Sequence, residues 1–231
     1  MARIEIKGLT KRFGPVTALN NVDLDLEKGQ IVGLLGPNGS GKTTLIKILN
    51  GLLKPDAGTA AINGKAPGVE TKRVTAYLPD RNALPDYMTP AQLIGLVGDF
   101  FPDFDREKAE KMLGELGVDM KQEMSKMSKG TKEKLQLCLV MARQADVYLL
   151  DEPIGGVDPA TRDYILKTII SNYNEDAVVI ISTHLISDIE SVLDDVIFLK
   201  QGQVVLHEQA DELREEKGES VDKTFREVFK C

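Results

Sequence analysis

A glycine-rich loop between an apolar strand and a helix is the feature that most constrains this chain. The loop is GPNGSGKTT at residues 36–44; the apolar run IVGLL precedes it and a stretch with helical periodicity follows. It matches the pattern G-x-x-x-x-G-K-[ST] through Gly36, Gly41, Lys42 and Thr43. Glycines allow the backbone to curl so that successive N–H groups point at phosphate oxygens. Because both flanking elements fit, a chance glycine-rich turn is disfavoured, and the sequence predicts a nucleotide-phosphate site.

Two side chains of this loop have separate expected roles. Lys42 can reach the outer phosphates, and the hydroxyl of Thr43 can ligate Mg²⁺. The helix that follows adds the positive end of its dipole. The loop residues predicted to bind the nucleotide are Gly36, Pro37, Asn38, Gly39, Ser40, Gly41, Lys42, Thr43 and Thr44.

A second apolar strand ends in two adjacent carboxylates. VYLLDE at residues 147–152 places Asp151 and Glu152 where burial is costly unless a cation pairs with the charge. A strand that ends beside the phosphate loop would bring Asp151 to the Mg²⁺ of the nucleotide. Glu152 would then lie toward the terminal phosphate, as general base or as the group that orients an attacking water. An exposed acidic pair at a strand end is the alternative, and the phosphate loop disfavours it.

The rest of the chain alternates short apolar strands with helical patterns, which predicts a parallel α/β core. Helices are expected over 43–53, with Leu52 on the apolar side, from Thr89 with Pro90 after it, and over 159–173. An Asn-Gly turn is expected at 63–64, and a hairpin across Gln201 and Gly202 that carries His207 on the surface. We predict a single domain over 1–231. Its parts are a nucleotide-binding core with a β subdomain (1–85 and 146–207), an inserted helical subdomain (86–145) and a C-terminal helix (208–231).

Charge and cysteine content exclude some classes of partner. The net charge is −7, which argues against nucleic acid or anionic lipid as the main partner. Cys138 and Cys231 have no metal-binding spacing, which favours a reduced cytosolic protein. The N-terminus lacks an apolar signal core, and no apolar run approaches the ~20 residues of a membrane span. We therefore expect a soluble chain that can still dock on a membrane protein.

The order of motifs resembles the nucleotide-binding subunit of an ATP-binding cassette (ABC) transporter, over nearly the whole chain. VYLLDE matches the Walker B strand with its glutamate, and GGVD matches the D-loop through Asp158. His184, after a further apolar strand, matches the switch histidine; MSKGT at 127–131 matches the signature that is usually LSGGQ. Phe13 matches the aromatic residue that stacks on adenine, although it could simply pack the N-terminal sheet. The resemblance implies the ABC ATPase fold, a P-loop core with a mainly parallel sheet, an N-terminal antiparallel β subdomain and an inserted helical subdomain.

The resemblance also implies a set of site residues. ATP and Mg²⁺ are the implied cofactors, with Glu152 and His184 catalytic and Thr43, Asp80 and Asp151 at the metal. Ser128 can cap the helix that follows it, which makes a second anion site. In the family this site binds the γ-phosphate of the nucleotide held by the opposite subunit; alone, the motif would read as an ordinary capped helix. The residues in this role are Ser128, Lys129, Gly130 and Thr131.

Several positions depart from the family pattern. Asp80 stands where glutamine is usual, and aspartate could still ligate Mg²⁺ directly or through water. Lys129 replaces the first signature glycine and could strengthen the clamp on the neighbour's γ-phosphate or point to solvent. Thr131 replaces glutamine, and Ile154 with Gly155 removes a D-loop hydroxyl. These changes could slow hydrolysis or alter coupling without abolishing nucleotide binding.

The implied partners are a second ABC ATPase subunit, identical or related, and an integral membrane subunit. The two cassettes would enclose two ATP molecules head to tail, at the cytoplasmic face of the cell membrane. A groove near Asp80 and Tyr87 would receive the membrane subunit, and the short helical subdomain and the last residues favour export. A soluble ATPase that clamps a protein assembly is the alternative. DNA-repair and translation ATPases fit poorly, because no coiled-coil insertion, second cassette or basic charge is present.

Overall fold

Two sheets and the helices around them form residues 3–229, the part of the chain that the computed structural model describes. The strands of this part are β1 (Arg3–Phe13), β2 (Val16–Glu27), β3 (Gln30–Leu35), β4 (Ala57–Ile62), β5 (Thr75–Leu78), β6 (Val147–Asp151), β7 (Val178–Thr183), β8 (Asp195–Lys200) and β9 (Gln203–Gln209). Its α-helices are α1 (Lys42–Leu49), α2 (Val69–Lys72), α3 (Pro90–Phe100), α4 (Arg106–Glu115), α5 (Lys129–Met141), α6 (Pro159–Asn172), α7 (Ile186–Ile189), α8 (Ala210–Lys217) and α9 (Val221–Phe229).

The smaller sheet is antiparallel and the larger one is mainly parallel. The smaller sheet has the order β2-β1-β4, and the larger has the order β5-β6-β7-β3-β8-β9. Every neighbouring pair in the larger sheet is parallel except β8 with β9, which form the hairpin predicted across Gln201 and Gly202. The predicted antiparallel N-terminal sheet and mainly parallel core are confirmed.

The larger sheet is covered on both faces, which explains its continuous apolar strands. Val32 and Leu34 of β3 pack with the small sheet and with α1. Ile31 and Leu35 point the other way and pack with the helices that follow β5. Alternate residues of a strand face opposite sides of the sheet. A central strand of a sheet that is covered on both faces must therefore be apolar throughout.

The helical segment between β5 and β6 begins where the sequence predicts. Thr89 caps α3, and its side chain accepts a hydrogen bond from the N–H of Gln92, with Pro90 in the first turn. Asp105 caps α4 in the same way. Apolar residues of these helices belong to the same buried cluster as Tyr148 and Leu150 of β6. The division of the chain at 85/86 and 145/146 stays a prediction.

Two boundaries differ from the sequence prediction. Helix α1 ends at Leu49 instead of residue 53, because Gly51 has a φ of +65° and turns the chain out of the helix. Leu52 is consequently 52% exposed instead of lying on the buried face. At the other end, β9 runs to Gln209 and two helices, α8 and α9, follow where one was predicted. Gly218, with a φ of +65°, ends α8 and separates them.

The remaining sequence predictions concern a turn, the two cysteines and the absence of a membrane span. The Asn63-Gly64 turn is present: both residues have positive φ, and Ile62 and Lys65 exchange backbone hydrogen bonds across it. Cys138 is buried, and burial raises the pKa of its thiol to about 11, so it is an inert packing residue. The predictions for Cys231 and for the last residues of the C-terminal helix fall outside the described residues. Within 3–229, no helix is both long and apolar enough to cross a bilayer.

His207 lies on the surface hairpin, as expected. Its imidazole also forms a hydrogen bond with a buried aspartate. Its Nε2 lies 2.8 Å from Oδ2 of Asp195, a buried residue at the start of β8. The pKa of His207 is raised, chiefly by this hydrogen bond and against the effect of burial. Because the pKa in the folded state is higher, the pair stabilises the fold most fully below about pH 6.5, the unfolded value. This contribution disappears as the pH rises through the folded value.

His207→Gln is expected to lower the free energy of unfolding by about 0.5–1 kcal/mol at pH 5.5, a range that allows for solvent screening of the partly exposed imidazole. The loss should shrink at pH 8.5. Urea denaturation of both proteins at the two pH values measures the difference. Glu208→Gln, which changes a neighbouring side chain of β9, should show no such trend. A loss that is equal or larger at pH 8.5 would contradict the role of the pair.

Candidate functional site

The phosphate loop joins β3 to α1 in a shape that only glycine permits at two positions. A Cβ at Gly36 would lie 2.4 Å from the carbonyl oxygen of Leu199. Gly41 has a φ of +113°, and a Cβ there would lie 2.5 Å from the carbonyl oxygen of Ala18. The buried hydroxyl of Ser40 has no hydrogen-bond partner among residues 3–229. The two glycines therefore fix the shape of the loop, and the hydroxyl of Ser40 is a buried polar group inside it.

Lys42 is buried against its own loop. Its Nζ donates to the carbonyl oxygens of Gly36 (2.6 Å) and Pro37 (3.2 Å), and lies 3.4 Å from Oε1 of Glu152. Burial lowers the pKa of Lys42, and the nearby carboxylates of Glu152 and Asp151 oppose that shift. The ammonium group thus lies in a position from which an anion in the loop would be a stronger partner than a carbonyl oxygen.

Asp151 ends β6 as a fully buried carboxylate that is only half satisfied. Its Oδ1 accepts hydrogen bonds from the hydroxyls of Thr43 (3.0 Å) and Ser182 (2.7 Å). Its Oδ2 is buried without a hydrogen-bond partner in the described part of the chain. Burial raises the pKa of Asp151, which the two hydroxyls and Lys47 counteract. An unpartnered carboxylate oxygen beside a hydroxyl fits a hard cation such as Mg²⁺, which prefers oxygen ligands.

Glu152 has a backbone conformation that is rare for a residue with a side chain. Its φ is +50°, in the left-handed region, and its N–H donates to the carbonyl oxygen of Ser182 at 3.0 Å. Its carboxylate lies between Lys42 and His184, whose Nδ1 is 3.0 Å from Oε2 of Glu152. Such strain persists only where surrounding structure imposes it, and it clusters at functional sites.

Strand order explains why these groups meet. β7 lies between β3 and β6, and Asp151 is in register with Ser182. The phosphate loop, Glu152 and His184 all follow the carboxyl ends of these parallel strands, the edge where open α/β sheets bind ligands. Ser182 is a site residue that our sequence analysis missed. A polar side chain inside the apolar run VVIIST is the signal that could have identified it.

Phe13 and Asp80 also lie beside the phosphate loop. Both line a cavity of about 360 Å³ whose other walls include Glu152 and the loop residues 38–44. Phe13 is 48% exposed as a residue, with Nζ of Lys11 5.4 Å from the centroid of its ring, so it does not simply pack the N-terminal sheet. A flat exposed ring of this kind suits stacking on a base.

The signature residues and Asp158 lie elsewhere. Ser128 caps α5 by accepting a hydrogen bond from the N–H of Thr131, and Asp158 caps α6 by accepting from Thr161. No residue from 128 to 131 is among the residues described as lining the phosphate-loop cavity. A Cβ at Gly130 would meet nothing within 4 Å. The structure therefore brings together the predicted nucleotide and metal residues, whereas Lys129 of the signature lines a separate cavity of about 370 Å³ that Asp80 and Glu152 also line.

These features define a class of protein: a phosphate-loop nucleotide-binding protein with its acidic residues at the carboxyl edge of a mainly parallel sheet. Comparison with known proteins narrows the class. The family model described as "ABC transporter" matches residues 19–155, more than half of the chain. The chain therefore belongs to the ABC transporter family, and it is an ATP-binding ATPase subunit of that family.

Relatives and solved structures agree with this placement. The chain is 33% identical over 218 residues to "ABC transporter ATP-binding protein YtrB" of Bacillus subtilis (strain 168), across 92% of the chain and 74% of YtrB. It is 28% identical to "SkfA peptide export ATP-binding protein SkfE" of the same organism, across 89% of the chain and 88% of SkfE.

A structure described as the ATP binding subunit of an ABC transporter has a TM-score of 0.85 at 27% identity, covering 98% of this chain and 99% of its own. A dimeric ATP-binding cassette bound to ADP and Pi has a TM-score of 0.78 at 23% identity, across 89% and 98% of the two chains, and is similar in fold. The resemblance inferred from the motifs is confirmed.

Proposed function

We propose that this ATPase subunit works as a head-to-tail pair of cassettes that encloses two ATP molecules and powers a separate membrane-spanning subunit. One observation carries the proposal: the phosphate loop and the capped start of α5 are both built for anions, yet they do not share a cavity within one chain. A second cassette placed head to tail would supply the missing signature to each site. The dimeric cassette of similar fold supports this arrangement.

Within each site, the proposed roles follow from the contacts. Thr43 and Asp151 would hold Mg²⁺, and Asp80, which lines the same cavity as Thr43, would assist directly or through water. Bound Mg²⁺ would neutralise charge that develops on the outer phosphates. Glu152 would accept a proton from the attacking water or orient that water, and His184 would hold the carboxylate of Glu152 and contact the γ-phosphate.

The remaining loop residues and the aromatic residue would bind the nucleotide itself. Backbone N–H groups of residues 36–44 would bind the phosphates, Lys42 would reach their outer oxygens, and Phe13 would stack on the adenine. Across the interface, Ser128 and the backbone of residues 129–131 would contact the γ-phosphate held by the other chain. Asp158, which caps α6, would lie at the same interface.

A groove beside the helical segment is the proposed contact with the membrane subunit. It has a volume of about 600 Å³, and its lining includes Leu52, Asp80, Leu84 and Phe101. Tyr87 is not among its lining residues, but at 78% exposure it adds to the apolar surface nearby. An amphipathic segment would bury these groups on docking. This assembly would place the chain on the cytoplasmic face of the cell membrane.

Export is the proposed direction of transport. SkfE, whose name states peptide export, is similar across most of both chains. The alternative function is a soluble ATPase that clamps a protein assembly. It would use the same ATP site, but it would not need a groove that receives a membrane subunit. Co-purification with a polytopic membrane protein would separate the two.

Ser128→Asp is expected to abolish dimerisation in the presence of a non-cleavable ATP analogue. Aspartate still caps a helix, so α5 should form, but its charge would repel the γ-phosphate of the opposite nucleotide. Light scattering should show the 25.4 kDa chain doubling in mass for the wild type and not for this variant. Ser125→Asp, an exposed change three residues earlier, should dimerise normally. Undiminished dimerisation of Ser128→Asp would contradict the head-to-tail arrangement.

A further inference from the structure

Two segments leave neighbouring strands at the same edge of the larger sheet, and each begins with a residue of the ATP site. The loop 152–158 follows β6 and begins with Glu152, and the segment 184–189 follows β7 and begins with His184. Nδ1 of His184 lies 3.0 Å from Oε2 of Glu152. The side chain of His184 is 42% exposed, so packing alone does not fix it. Its position therefore depends on how the two segments are held to each other.

One guanidinium group joins the two segments at a distance from the phosphate loop. Arg162, in the first turn of α6, donates from Nε to the carbonyl oxygen of Val157 at 3.2 Å. Its Nη1 donates to Oδ2 of Asp188, a residue of α7, at 2.7 Å. A single side chain thus binds both the loop that follows Glu152 and the helix that follows His184.

The chemistry of the guanidinium group suits this link. The group is planar and its N–H groups point in fixed directions, so the bond to the carbonyl oxygen of Val157 helps to orient it toward Asp188. A hydrogen bond between two charged groups is stronger than one between neutral groups. The side chains of Arg162 and Asp188 are 28% and 30% exposed, so solvent screens this ion pair less than an exposed pair.

Helix α7 needs such a link because it is short. It has four residues, about one turn, and a single helical turn is marginal on its own. Ile186 and Ile189 are buried in the core cluster that also contains Ile154 of the loop. Burial of apolar groups is not directional, so it holds α7 against the core without setting its orientation there. The ion pair supplies a directional contact.

We propose that Arg162 and Asp188 are positioning residues for ATP hydrolysis. Their ion pair holds α7 to the loop 152–158, and this keeps His184 beside Glu152. The inference rests on the proposed function, in which Glu152 acts on the attacking water and His184 contacts the γ-phosphate. Neither member of the pair is among the described residues that line the phosphate-loop cavity. The pair therefore acts through the segments that it joins and not on the nucleotide.

The ring signals of the histidines in nuclear magnetic resonance spectra test the proposal on the isolated chain without nucleotide. The chain has two histidines, so His207→Gln assigns the signal of His184. Glu152→Gln should move this signal, because it removes a charge 3.0 Å from Nδ1. In an Arg162→Gln background the same change should move it by at most about half as much, since the imidazole spends less time beside position 152.

Two comparisons separate positioning from general stabilisation of the fold. An ion pair that only stabilised the fold would change the urea midpoint of Arg162→Gln and leave the displacement of the His184 signal as large as in the wild type. That equal displacement would overturn the proposal. Arg106→Gln removes an exposed ion pair with Asp99 and should leave the displacement unchanged.

Steady-state ATP turnover provides a second test. Arg162→Gln and Asp188→Asn should each lower kcat about three- to tenfold, with KM for ATP unchanged, because the phosphate loop is untouched. Since the two residues act as one unit, the double variant should lose no more than the more severe single variant. Arg162→Lys keeps a charge opposite Asp188 but lacks the fixed directions of the guanidinium group, so its kcat should lie between those of Arg162→Gln and the wild type.

The failure of this inference can be distinguished from the failure of the proposed function. An unchanged kcat in Arg162→Gln, or losses that multiply in the double variant, would overturn the inference and leave the roles of Glu152 and His184 in place. Full ATPase activity in Glu152→Gln would instead contradict the proposed function and the inference together. Arg106→Gln should keep the kcat of the wild type, and circular dichroism should show that every variant is folded.

Discussion

Glu152→Gln is expected to reduce ATP turnover by about 10²–10⁴-fold, the range that general-base catalysis supplies. Glutamine keeps the size of the side chain and its contact with His184, but it cannot accept a proton from water. Nucleotide binding should persist, because Lys42 and the phosphate loop are unchanged. Without hydrolysis the two cassettes should stay closed, so the variant should accumulate as a dimer when ATP is added.

Steady-state ATPase assays and light scattering with ATP measure both effects of this substitution. Glu175→Gln, an exposed change after α6, is the matched control and should leave turnover and mass unaltered. Undiminished ATPase activity in Glu152→Gln would remove Glu152 from its catalytic role. A monomer in the presence of ATP, with turnover lost, would keep the catalytic role and contradict the closed dimer.

Lys42→Ala is expected to weaken binding of a non-cleavable ATP analogue about 10- to 100-fold. The change removes a charge-assisted hydrogen bond to the outer phosphates, which contributes roughly 1.5–3 kcal/mol. In the wild type the ammonium must leave the carbonyl oxygens of Gly36 and Pro37, so part of the gain offsets these lost contacts. Titration calorimetry at fixed Mg²⁺ measures the affinity directly.

The control for Lys42→Ala is Lys54→Ala, an exposed lysine after the end of α1. It should bind the analogue as the wild type does, and both variants should keep the circular dichroism of the folded chain. An unchanged affinity in Lys42→Ala would contradict the assignment of residues 36–44 as the phosphate site.

The features of the fold and site that could be predicted from the sequence are local ones. The glycine loop, the capped starts of α3 and α5 and the apolar strand before Asp151 each depend on a few neighbouring residues. Such features follow from backbone sterics and from burial, which the residue types set directly. The same reasoning predicted the Asn63-Gly64 turn correctly.

Long-range contacts limited what could be predicted. Contact of Glu152 with both Lys42 and His184 depends on the order of β3, β7 and β6, which no local pattern encodes. Ser182 was missed for the same reason, because its role appears only once β6 and β7 are in register. The early end of α1 depends on Gly51, where the chain passes close to the backbone of Pro67 and Gly68.

The left-handed backbone conformation of Glu152 limits the stability that an active form of this enzyme can reach. A left-handed conformation at a residue with a side chain costs on the order of 1–3 kcal/mol, and glycine adopts it without that penalty. Laboratory selection for heat tolerance alone would therefore favour glycine at this position, and that change would remove the carboxylate. The stability of the fold and the catalytic carboxylate therefore make opposite demands on the residue at position 152. Stabilising substitutions must be sought at other positions of the chain.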